Sequence, residues 1–89
     1  MVPRIRAGDR TLADQLMRAA SSVALNIGES NYSDPGNRRA RLFTAAGSAA
    51  KTRLALRIAV SWRHCSTDEV QPARALLERI APMLWKLTH

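Results

Sequence analysis

His64 and Cys65 carry the most versatile chemistry in these 89 residues, and their spacing denies them most of it. A Cys–His dyad needs its two groups placed across a cleft, whereas neighbours at a helix end point apart. The other histidine, His89, is far along the chain, so no two His or Cys residues have zinc-site spacing and only a site shared between subunits stays open. The acidic residues are scattered, and Asp68-Glu69 fit the favourable dipole at a helix start. No phosphate-cradling glycine loop is present. Neither catalysis, nor a metal, nor a cofactor is expected.

The arginines are the remaining candidates. Fourteen basic residues against seven acidic give a net charge of +7, and twelve of the fourteen are arginine. Arginine forks match phosphate bidentately, so this balance favours a polyanionic partner. It fits equally the composition of a GC-rich genome, with the charge solvating exposed helix faces. Arg39, Arg53 and Arg57 fall within about 40° of one another at ~100° per residue, a stripe that Arg38 and Arg41 extend. Arg4, Arg6 and Arg10 lie on an N-terminal arm able to reach a phosphate backbone. The stripe reads either as a binding surface or as an ordinary solvated or ion-paired face. The four aromatics, Tyr32, Phe43, Trp62 and Trp85, do not interleave with arginines as in single-strand binders, and Tyr32 alone reads as an exposed stacker. Phosphates and shape, rather than base sequence, would then dominate.

The elements that position these residues are helices. Residues 1–10 read as a basic arm and 11–89 as one helical domain. A first helix is expected from near Thr11, capped by Asp9 or Thr11, to about Gly28. The turn-forming run from Glu29 to Gly36, ESNYSDPG, breaks the chain. Asn37 is expected to cap a second helix reaching about Trp62, and Ser66 with Glu69 makes a capping box that opens a third. Pro72 and Pro82 predict either a kink or a restart in that last helix. Seams at alternating three- and four-residue steps run through Ala13, Leu16, Ala20, Val23 and Ile27, then Leu42, Ala45, Ala49, Thr52, Leu56 and Ala59, then Val70, Ala73, Leu77, Ile80, Leu84 and Leu87. The expected fold is an all-α, antiparallel up-down bundle with three helices visible.

Leu76, Met83 and Trp85 fall outside these seams, and an exposed apolar set of this kind marks a partner surface. A domain this short buries a modest share of its surface, which points the same way. One cysteine excludes an internal disulfide, and no segment approaches a membrane span of roughly 20 apolar residues. With no apolar signal-peptide run either, the expected location is the cytoplasm, away from membranes.

The segment from Gln15 to Glu29, QLMRAASSVALNIGE, resembles the QLRRAAxSIxxNIAEG signature of the bacterial four-helix-bundle proteins encoded by intervening sequences in 23S ribosomal RNA genes. Ala46-Gly47-Ser48-Ala49-Ala50 resembles the second signature of that family, an A-x-GS segment at the centre of the following helix. The likeness covers roughly residues 12 to 88. It implies a related superfamily member, the accessory protein of diversity-generating retroelements, whose basic pentameric barrels bind nucleic acid and a reverse transcriptase. The resemblance therefore implies a homopentameric ring with RNA or DNA, and a reverse transcriptase, as partners.

Members of that family begin with a further long helix, for which about ten residues remain here. Either the chain is a shortened form or a neighbouring subunit completes the bundle, and both imply an apolar groove. Lys51 stands where the family has Glu, and Ser30 where it has Gly. Gly47 with its flanking alanines allows close backbone approach. Asn26 and Glu29 are expected to organise the helix end, and Gln15 and Ser48 to pair in a buried network or lie at an exposed edge. The expected function is non-enzymatic: an oligomeric bundle binding nucleic acid, most plainly RNA, by electrostatics. The alternative is a protein-interaction scaffold without nucleic-acid contact.

Overall fold

The computed structural model describes residues 1–89 and is helical throughout, with no strand. Four helices follow one another: α1 (Val2–Gly8), α2 (Arg10–Ser30), α3 (Pro35–Ser61) and α4 (Thr67–Thr88). The three expected helices correspond to α2, α3 and α4. α1 corrects the reading of residues 1–10 as a basic arm apart from the helical domain: Pro3 pre-sets the first turn, and Ile5 is fully buried against the other helices. Burying that one side chain contributes about 2 kcal/mol towards docking two turns that have no stability of their own.

Local chemistry sets the remaining boundaries. The Asp9 carboxylate accepts from the Leu12 N–H at 2.9 Å and caps α2. α2 runs past Gly28 because serine hydroxyls serve its last carbonyls: Ser30 donates to Ile27 at 2.6 Å and Ser33 to Glu29 at 2.9 Å. α3 starts earlier than the sequence reading placed it. Its cap is Asp34, not Asn37, and Pro35 occupies the first turn, where a missing N–H costs nothing. The capping box of Ser66 and Glu69 forms at the head of α4. α4 then passes through Pro72 and Pro82 as one helix, without a restart; both prolines, and Asp68 and Glu78 four residues back, are exposed, so the freed carbonyls can be hydrated.

α3 lies in the middle, packed on α2 along one side and α4 along the other, while α2 and α4 scarcely meet. The result is an elongated slab of 42 × 21 × 14 Å. Every residue of the expected α3 seam is buried, and the alanines at 45, 49 and 59 bring two helices close at once. The open α2–α4 side explains why Ala20 and Leu87, members of the other two seams, are exposed. The core is continuous around Ile5, Leu16, Leu56, Val70 and Leu77, with a smaller cluster of Leu42, Ala45 and Leu84 at the far end.

The α3–α4 turn is closed by a Schellman pattern. The His64 N–H donates to Ala59 at 2.9 Å and the Arg63 N–H to Val60 at 3.0 Å. Arg63 pays for it with φ of 61°, a left-handed conformation usually left to glycine.

Candidate nucleic-acid interface

α3 contains six basic residues and no acidic one in 27 positions. Two of its arginines, Arg41 and Arg39, have structural tasks, and Arg38 stands beside them without a partner. Arg41 pairs with Glu29, which fixes the end of α2 beside the start of α3. Arg39 donates from its guanidinium to the Thr88 carbonyl at 3.1 Å, tying down the C-terminus of α4, and sits 5.6 Å from the Phe43 ring centroid. Arg38 is exposed beside Arg39 in a shallow depression near the same end.

Arg53 and Arg57 are different. Both are exposed, neither joins any of the three ion pairs in the molecule, and together they line a groove of about 420 Å³ between α3 and α4. Four alanines, Ala46, Ala49, Ala50 and Ala81, make up half of its lining, with Leu54 and Leu77 beside them. Towards the α3–α4 turn, Arg57 shares a second depression with Arg74 of α4. Arg74 escaped the sequence reading because it stands alone in a mixed stretch of α4, and only the packing of α4 on α3 brings it to the stripe. The charge on the arm is spent differently from expectation: Arg4 pairs with Glu69 and Arg6 with Asp14, both at 2.7 Å.

A polar seam joins α2 to α3 at mid-height. Ser48, buried, donates to the Ser22 hydroxyl at 2.8 Å, and Asn26 Nδ2 donates to the Ser22 carbonyl at 2.8 Å. Thr52 in turn donates to the Ser48 carbonyl at 2.8 Å. Ser48 therefore pairs in a network as one reading had it, and Ser22 is the partner that periodicity missed. A family model described as 23S rRNA-intervening sequence protein matches residues 6–86, which include this seam. The chain belongs to that family. No curated protein and no solved structure matches it.

The signature residues of the 23S rRNA-intervening sequence protein chain thus serve the α2–α3 interface unequally. Asn26 bonds within α2, and Glu29 reaches α3 through Arg41. The Gln15 side chain makes no hydrogen bond and lines an open groove of about 560 Å³ with Arg18, Lys51 and Leu54. Gly47 faces open space, so the close approach it permits is not made within one chain. At ~100° per residue, Leu76 and Met83 share one edge of α4, 55% and 61% exposed, and Trp85 lies about 160° or more away on the edge of Arg74 and Ala81. The three residues expected at one interface therefore face two directions. Trp62, 71% exposed, joins Tyr32 as an exposed aromatic.

His64 and Cys65 occupy the turn below the core. The His64 ring packs on Gly8, with its Nε2 buried and unpartnered, and burial pushes the Cys65 thiol above its ordinary value, with the Glu69 charge adding to the shift. A thiol held protonated is a poor nucleophile.

Proposed function

We propose that this protein is a non-enzymatic, oligomeric RNA-binding bundle whose contact surface is the arginine groove between α3 and α4. The observation that carries the reading is a central helix with six cations and no carboxylate, two of whose arginines, Arg53 and Arg57, are exposed and unpaired in a groove half lined by alanines. Small residues let a phosphate backbone approach closely, and each phosphate neutralised releases condensed counterions. DNA satisfies the same chemistry. The superfamily kinship with retroelement accessory proteins that the sequence resemblance implies extends the proposal to a cytoplasmic pentamer with a reverse transcriptase as a partner; the ring would carry five times the charge of one chain.

The salt dependence of binding tests the reading. Titrating the protein into fluorescently labelled RNA should give an affinity that falls linearly on a log–log salt plot, and R53E with R57E should abolish binding without changing the mass of the assembly measured by light scattering. Absence of binding by the unaltered protein at low salt would sink the proposal.

Exposed Leu76 and Met83 favour a second reading, a scaffold that grips another protein or another copy along the open edge of α4. Met83→Asp should then reduce the assembly mass or the yield of a reverse-transcriptase complex, and an unchanged mass and yield would count against it.

A further inference from the structure

The fold gathers what the sequence keeps apart. At the end of the α3–α4 face opposite Arg53, Arg57 and Arg74, four residues from two separate stretches of the chain form one cluster. Trp85 stacks on His89 with centroids 3.5 Å apart and planes 17° from parallel; Phe43 meets His89 edge-on at 5.7 Å; Arg39 lies beside Phe43. Trp85 nonetheless keeps 62% of its surface exposed. Between the two ends run Ala46, Ala50 and Ala81, whose methyl groups leave room for a backbone to approach.

One face therefore presents an aromatic platform, a smooth track and an arginine cluster in line. From Phe43 to Arg57 is fourteen helical residues, about 21 Å, within the few nucleotides that a single-strand site covers. A duplex hides its base faces, so a platform of this kind has use only for an unpaired base. We infer that the α3–α4 face binds single-stranded RNA, with an unpaired base stacked on Trp85 and the following phosphates held by Arg53, Arg57 and Arg74. The inference rests on the nucleic-acid reading above and adds strand state, polarity of roles and two residues, Trp85 and Arg74. Trp85 is thereby taken from the oligomer edge and given to the ligand.

Stacking and phosphate contacts respond differently to salt, and this separates the roles. In anisotropy titrations with a labelled twelve-nucleotide single strand and the same strand annealed to its complement, the single strand should bind about tenfold more tightly. W85A should weaken single-strand binding about tenfold at every salt concentration with the log–log slope unchanged. R74Q should lower the slope by about one, and R74K should restore it. In a W62F background, where Trp85 is the sole tryptophan, the single strand should quench its fluorescence. R18Q with K51Q, in the α2–α3 groove, should change nothing. Failure of the unaltered protein to bind either RNA overturns the nucleic-acid reading itself. Binding that is equal for both strand states, or unaffected by both W85A and R74Q, overturns this inference and leaves that reading standing.

Discussion

Arg63 shows how much one backbone angle can hold. Its left-handed φ closes the Schellman turn at the cost that any residue with a Cβ bears there, about 1 kcal/mol. Arg63→Gly should therefore stabilise the fold by about 1 kcal/mol, seen as a rise of roughly 4 to 8 °C in the thermal midpoint. A fall would show that the arginine side chain makes up the strain. Gly8 is required for a different reason: a Cβ there would stand 2.1 Å from His64 Nδ1. Gly8→Ala should lower the midpoint by overpacking, a loss of about 1 to 3 kcal/mol, and adding His64→Ala should recover part of it. Two substitutions that simply add their losses would refute the contact. Neither residue was legible in the sequence. A positive φ at arginine has no signature in residue type, and the Gly8–His64 meeting spans most of the chain.

Helix boundaries were legible where a side chain dictates them and illegible where packing does. Asp9 and the Ser66–Glu69 box announce their helices, whereas α1 is too short for periodicity and shows only Ile5 between arginines. Asp34 and Asn37 are both good caps by residue type, and Pro35 decides for Asp34. The caps also set an acid response. Asp34 is held below its ordinary value by the backbone and then the side chain of Asn37, and Glu69 by the Ser66 N–H with help from Arg4. A depressed carboxylate contributes stability above its unfolded value and loses it as pH falls through its folded one. Helicity measured by circular dichroism should therefore decline below about pH 4, and D34N with E69Q should flatten that decline. An unchanged acid limb would place the loss elsewhere. Docking of α1 is separately testable. Ile5→Asp should release it while α2, α3 and α4 keep their helicity, and the buried Cys65 should then react faster with a thiol reagent. An unchanged rate would mean that α1 does not shield the thiol.

The bundle class could be read from three apolar stripes, but their arrangement could not. Heptad spacing says that each helix meets another without saying which, and the slab arises because α3 alone is lined with small residues on two sides. The candidate site was half legible for the same reason. Arg53 and Arg57 share a helix and hence a stripe, while Arg74, Trp85 and His89 join them only through the α3–α4 contact. That α2 and α4 scarcely touch also fixes how disturbances combine. Leu16 is buried in the large cluster and Leu84 in the small one, with α3 standing between them. Truncating either to alanine should cost about 2 to 4 kcal/mol. The double-mutant cycle should close to within about 0.5 kcal/mol, the behaviour of a nearest-neighbour chain, while Ser22 and Ser48 should show a coupling energy of their own. Energetically, the protein is then close to one-dimensional across its width: α3 is the main route by which an event on one outer helix can be felt by the other, with α1 a side link through Ile5 and the Arg4–Glu69 pair.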